Sequence, residues 1–257
     1  MSTPLLRVQE VSKYYGNRTG CADVTFELDE GEIVAVVGES GSGKTTLLNC
    51  LSGRLRPDRG KVSFKTRIEG LVDVWALTEA ARRMLARTDW GFVHQNPLEG
   101  LRCDVSAGAN VGERLMVLGA RHYGRIREEA GTWMRSVELD ETRIDELPVT
   151  FSGGMQQRLQ IARNLVTHPR LIFMDEPTAG LDVSVQARLL DLLRGLAGRL
   201  GLAAVVVTHD LAVARLLAHR MLVMRGGCVV ECGLTDQVLD DPQHPYSQLL
   251  VSSVLAT

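Results

Sequence analysis

The stretch from Ile33 to Thr45 constrains the fold more than any other part of the chain. Ile33 to Val37 is a short, mostly β-branched apolar run, the pattern of a parallel strand buried on both faces. It leads directly into Gly38-Glu39-Ser40-Gly41-Ser42-Gly43-Lys44-Thr45, which satisfies G-x-x-x-x-G-K-[ST] at every position. Leu47, Leu48 and Leu51 then follow at helical spacing. Strand, glycine-rich loop and helix in that order predict a phosphate cradle. Phosphates are large, anionic and rich in acceptors. Glycines let backbone N–H groups close around them without Cβ clashes, and the helix N-terminus adds partial positive charge. Lys44 is expected to contact the β- and γ-phosphates and Thr45 to ligate Mg2+. The expected ATP-binding set from this loop is Gly38, Glu39, Ser40, Gly41, Ser42, Gly43, Lys44, Thr45 and Thr46.

Around this unit, strands and helices alternate. Leu6 to Val11 alternates loosely, and Val24, Phe26 and Leu28 read as a half-buried strand. Leu171 to Met174 and Ala203 to Val207 are further apolar strands. Val185, Leu189, Leu192, Leu193, Leu196 and Leu200 share one face of a helix. Met221 to Met224 and Val229 to Val230 flank Gly226-Gly227 and predict a hairpin. From about Asp73 to Leu147 strand texture fades and helix formers with Arg and Glu dominate, with helices expected over Thr78 to Arg87 and Ile126 to Leu139. The pattern predicts an α/β core with a parallel sheet and an inserted, mostly helical subdomain.

Two further segments complete a hydrolytic site. Leu171 to Met174 ends in Asp175-Glu176. Asp175 is expected to hold Mg2+, through water, and Glu176 to act as the base that activates or orients the attacking water. Thr208-His209-Asp210 follows another apolar strand. The C-terminal ends of parallel strands face the ligand in such sheets, so His209 is placed to sense the γ-phosphate.

Composition limits the alternatives. The 257 residues suit one large domain with a subdomain, and a formal net charge of -2 offers no basic field for nucleic acid. No apolar run approaches the roughly 18 residues of a membrane span, and Met1 to Glu10 lacks the apolar core of a signal peptide. A cytoplasmic protein without direct membrane insertion is expected. Cys21, Cys50, Cys103, Cys228 and Cys232 are odd in number and scattered, as reduced thiols are.

With these motifs in order, the chain resembles the ABC ATPase family. Phe151-Ser152-Gly153-Gly154-Met155-Gln156-Gln157-Arg158 is similar to that family's signature loop, with Met155 where many members carry Gln. The resemblance implies a P-loop NTPase core, the ABC nucleotide-binding domain, with a parallel sheet and N-terminal antiparallel strands. One domain over 1–257 would contain the helical subdomain over about 73–165. It implies Mg-dependent ATP hydrolysis and a homodimer with ATP sandwiched at the interface, where Ser152, Gly153, Gly154, Met155 and Gln156 contact the partner's nucleotide. Gln95 resembles the glutamine-loop residue that reaches Mg2+ or the attacking water. Asp182 lies in Ala179-Gly180-Leu181-Asp182, which resembles the interface loop. Tyr15 resembles the adenine-stacking aromatic, with Tyr14 as the fallback. The implied catalytic set is Glu176, His209, Lys44 and Gln95, with Mg2+ at Thr45, Gln95 and Asp175.

Within that family the chain is similar to ATP-binding subunits of phosphonate carbon–phosphorus lyase systems. Arg87 to Gln95, Val105 to Gly108, Gly119 to Gly124, Phe151 to Pro169 and His244 to Leu250 carry the likeness. It implies a soluble motor that remodels a lyase core, with the core subunits as partners, and a second related ABC-type subunit as the alternative to self-pairing. The competing readings are a peptide or nickel importer ATPase, which shares the His-Pro-Tyr tail, and a nucleotide sensor that barely hydrolyses. Glu176 and His209 argue against the sensor. Arg121, His122 and Arg125 are candidate docking residues, set against a merely solvated face.

Overall fold

The computed structural model describes residues 3–255. In chain order the elements are β1 (Leu6–Tyr15), β2 (Arg18–Leu28), β3 (Ile33–Val37), α1 (Lys44–Leu51), β4 (Arg59–Thr66), β5 (Gly70–Asp73), α2 (Glu79–Thr88), β6 (Trp90–Val93), α3 (Ala107–Val117), α4 (Tyr123–Ser136) and α5 (Gly153–Leu165). They continue as β7 (Leu171–Asp175), α6 (Val183–Leu200), β8 (Ala203–Thr208), α7 (Leu211–Leu217), β9 (Arg220–Arg225), β10 (Cys228–Leu234), α8 (Thr235–Asp240) and α9 (Pro245–Leu255). They fall into two compact units, Met1–Arg83 with Gly201–Thr257, and Met84–Leu200.

In the first unit β2, β1, β4 and β5 form an antiparallel sheet in that order. β3 runs parallel to both β8 and β9, and β10 returns antiparallel along β9 across Gly226-Gly227. All five residues of β3 and all six of β8 are buried. Burial on both faces is why these strands read as unbroken apolar runs, and each buried Val or Ile contributes roughly 1.5–3 kcal/mol. The N-terminal strand is longer than its apolar stretch suggests: β4 pairs with it as far as Ser12, and β2 alone carries β1 on through Lys13 to Tyr15.

The second unit holds the parallel pair β6–β7 and helices α3 to α6. Helix α3 is capped by the Ser106 hydroxyl, which accepts the Ala109 N–H at 3.2 Å. The stretch from about Asp73 to Leu147 carries helices α2, α3 and α4, with α2 and α4 near the two expected helices, and also β6, which its composition does not suggest. Along α6 the buried face runs through Leu189, Leu190, Leu192, Leu193 and Leu196. Leu200, expected on that face, is exposed, and Leu190 replaces it in the core. None of the five cysteines is disulfide-bonded.

Candidate active site

In the first unit, β3 delivers the chain into the glycine-rich loop. Gly43 has φ 105, and the start of α1 carries no side-chain cap. Lys44 is buried, and its ammonium donates to the carbonyls of Gly38 at 2.7 Å and Glu39 at 2.9 Å. The Ser42 hydroxyl is buried and has no hydrogen-bond partner among the described residues. An orphaned buried hydroxyl costs about 1–3 kcal/mol, and an oxyanion in the loop would give it an acceptor. An uncapped helix start, a buried ammonium and a waiting hydroxyl suit a phosphate chain.

Two other expected residues converge on this loop. Tyr15 ends β1 and is 49% exposed. A Cβ on Gly20 would lie 2.9 Å from the Tyr15 ring and 2.8 Å from the Thr46 methyl, so ring and helix flank one point of β2. The backbone N–H of Tyr14 donates to Asp58 at 2.7 Å, and its side chain is also exposed. His209 is exposed and follows Thr208, which pairs with Val37. Gly38 and His209 therefore leave neighbouring parallel strands at the same level.

In the second unit, β6 and β7 pair through Val93 and Met174. Gln95 lies two residues past Val93, and Glu176 two past Met174, so Gln95, Asp175 and Glu176 emerge from the same end of one parallel pair. Glu176 has φ 46, a left-handed backbone rare outside glycine, and its carbonyl accepts the Ala179 N–H at 3.0 Å in the turn that follows.

The signature loop opens α5. The Ser152 hydroxyl accepts the Met155 N–H at 3.4 Å. Gln156 donates its amide to the carbonyls of Pro148 and Phe151, both at 3.0 Å, and so braces the loop from behind. Arg143 lies 4.4 Å over the Phe151 ring, forks onto Glu146 at 2.9 and 2.6 Å, and approaches the Met155 sulfur at 3.5 Å. Thr150 adds a hydroxyl to Glu146 at 2.8 Å. Leu181 and Val185, on either side of Asp182, pack against Gly153 and Gly154.

Helix α5 also reaches the glutamine loop. Gln157, Gln160 and Asn164, spaced along one face, are all buried. Asn164 exchanges two hydrogen bonds with Phe92 at 3.0 Å. Gln160 accepts the His94 N–H at 2.6 Å and returns a bond to the His94 carbonyl at 3.2 Å, joined there by Gln157 at 3.3 Å. One edge of β6 is thereby closed by side chains, and the residue beside Gln95 is fixed to the helix that begins with the signature serine.

Residues 21–179 match the family profile described as ABC transporter. The chain belongs to this ABC family. The cassette is 64% identical, over 99% of each chain, to the Putative phosphonates utilization ATP-binding protein PhnK of Escherichia coli. It is 35% identical to the Dipeptide transport ATP-binding protein DppF of Haemophilus influenzae, over 98% of this chain and 78% of that one. The solved dimeric ATP-binding cassette MJ0796, in a post-hydrolysis state bound to ADP and Pi, superposes with a TM-score of 0.80 at 30% identity, covering 90% of this chain and 98% of that one. The cassette is an ABC-type ATPase with the P-loop NTPase fold.

Sequence reasoning missed the braces. Arg143 and Glu146 carry no motif, and Gln157, Gln160 and Asn164, although inside the stretch that resembles the family, had no bracing role read for them. For the last three, the one signal was their spacing along a single face of α5. Of the candidate docking residues, Arg121, His122 and Arg125 are all exposed. His122 caps α4 by accepting the Arg125 N–H at 3.2 Å, and Arg121 turns back onto the Met116 and Ala120 carbonyls. Tyr123 beside them is 72% exposed, an aromatic on that surface the sequence reading passed over.

Proposed function

We propose that this ATPase is the motor subunit of a soluble carbon–phosphorus lyase assembly, acting as an ABC-type dimer that closes on ATP and remodels the lyase core. The identity pattern carries the proposal: 64% to a phosphonates utilization protein against 35% to a dipeptide transport protein, each across nearly all of this chain. Among the described residues no helix is long and apolar enough to cross a membrane.

In this reading Tyr15 stacks on adenine, and residues 38–46 enclose the phosphates with Lys44 on the β- and γ-groups. Thr45, Gln95 and Asp175 would hold Mg2+, which when bound offsets phosphate charge. Glu176 orients a water and takes its proton as the water oxygen bonds the γ-phosphorus. The bond from that phosphorus to the β–γ bridging oxygen breaks, leaving ADP and Pi. His209 contacts the γ-phosphate. Ser152, Gly153, Gly154, Met155 and Gln156 address the nucleotide of a second copy, and Asp182 crosses that interface. Arg121, His122 and Arg125, with Tyr123, face the lyase core.

A strain lacking this chain separates the readings when given a labelled phosphonate as its phosphorus source. The motor reading expects uptake of label to persist while growth fails. An importer ATPase would instead lose uptake, and that result would overturn the proposal.

A further inference from the structure

The C-terminal His-Pro-Tyr segment is built into the first unit by an unusual chain of contacts. Glu231 on β10 accepts the N–H of Gln243 at 2.8 Å and of His244 at 3.0 Å, just ahead of α9. A carboxylate there satisfies free amides and suits the positive end of the helix. His244 then caps α9, its Nδ1 accepting the Tyr246 N–H at 3.1 Å. Pro245 occupies the first helical position, where no N–H is needed. These bonds fix Tyr246, which is 3% exposed, among Ala35 and Val37 of β3, Leu211 and Ala214 of α7, and Met221 and Val223 of β9. Arg225 covers its ring at 4.9 Å.

The buried ring carries its hydroxyl to the phosphate loop. The Tyr246 oxygen accepts the Glu39 N–H at 3.2 Å. That N–H belongs to the peptide whose carbonyl, on Gly38, accepts the Lys44 ammonium at 2.7 Å. One peptide plane is thus held at both ends, by Lys44 on one side and by Tyr246 on the other. The amide and carbonyl of a peptide turn together, so releasing the N–H frees the carbonyl that seats Lys44.

We propose that Tyr246 is a positioning residue for ATP binding: its hydroxyl sets the orientation of the Gly38–Glu39 peptide, and through it the place of the Lys44 ammonium. The tail is then part of the nucleotide site, although Tyr246 lies 207 residues beyond Glu39 in sequence. The inference rests on the phosphate-loop reading of residues 38–45.

The test uses the full chain and three variants, titrated with a fluorescent ATP analogue, alongside hydrogen exchange of the nucleotide-free loop. Tyr246→Phe removes only the hydroxyl and keeps the ring in its apolar seat. It should weaken binding about three- to tenfold, the worth of one neutral hydrogen bond, and speed exchange across residues 38–41. Leu250→Ala loosens the same apolar cluster without touching the hydroxyl, and should lower the melting temperature while leaving affinity in place. Lys44→Ala should abolish binding. If Lys44→Ala binds normally, the loop reading fails and the inference with it. If Lys44→Ala loses ATP while Tyr246→Phe keeps wild-type affinity or wild-type exchange, the tyrosine inference alone is overturned. Equal affinity losses in Tyr246→Phe and Leu250→Ala also overturn it, since general tail packing would then be the cause.

Discussion

Two of the positive-φ glycines of the phosphate loop, Gly41 and Gly43, should respond very differently to the same added methyl group. Gly41 has φ 81, and the nearest atom to a Cβ there is the Arg18 guanidinium at 3.8 Å. Its substitution by Ala meets only the backbone penalty, about 1–2 kcal/mol. Gly43 has φ 105, further from the left-handed minimum, and its Cβ would overlap the Gly20 carbonyl oxygen. Backbone strain of about 1–3 kcal/mol adds there to overpacking of about 1–3 kcal/mol against β2. Gly43→Ala should therefore cost about 2–3 kcal/mol more than Gly41→Ala. Against a typical total of about 5–15 kcal/mol, that separates a folded variant from a marginal one. Urea unfolding of nucleotide-free protein, followed by circular dichroism, measures the difference. Equal midpoints would mean that the loop does not hold Gly43 against Gly20, and the steric account of the cradle would be wrong.

Three other outcomes follow from the geometry. Glu176→Gln keeps the side-chain length and should retain ATP while hydrolysis slows by at least about a hundredfold, the lower range for a lost general base; light scattering should show the mass doubling with ATP, and a wild-type rate would remove Glu176 from its role. Arg114 is half-buried between α2, β6 and α5, donating to Asn164 at 2.6 Å and to the Ala86 and Trp90 carbonyls at 2.8 and 2.9 Å. Burial, with Arg163 nearby, pushes it down to about 10, so it stays charged at neutral pH. Arg114→Met should destabilise by about 1–3 kcal/mol by stranding the buried acceptors on Asn164 and Trp90, and no measurable loss in denaturant titration would contradict this. Asp58 accepts the Tyr14 N–H, pairs with Lys13 at 2.9 Å, and is held below the usual carboxylate range first by that amide and then by the lysine. A depressed folded-state pKa stabilises above the unfolded value and is lost as pH falls through it. Asp58→Asn should flatten the acid limb of the stability profile below about pH 4, and an unchanged limb would assign acid sensitivity elsewhere.

How much was legible depended on how local the physics is. The β3–loop–α1 unit and Asp175-Glu176 follow from short-range chemistry: a strand buried on both faces, glycines where no Cβ fits, acids at a strand end. The Gly226-Gly227 hairpin was readable for the same reason. β6 was not, because Trp90–Val93 is only four residues long and Asn164 and Gln160, some seventy residues away, complete its edge. β4 was hidden by Arg59, Lys61 and Lys65, although its partner β1 buries Val62 and Phe64. The buried face of α6 follows the helical spacing of Leu189, Leu192, Leu193 and Leu196; packing widens it to Leu190 and leaves Leu200, the last residue of the helix, exposed. The contact of Tyr246 with Glu39 joins segments that no sequence spacing connects.

The most direct test of the account is to recover what the protein binds in its native cells. An N-terminally tagged chain would be purified without detergent from cells grown on a phosphonate as the only phosphorus source, and its companions identified. Soluble lyase-core subunits are the predicted result. An integral membrane permease, recovered mainly when detergent is added, would contradict the motor reading and make this ATPase a transporter subunit.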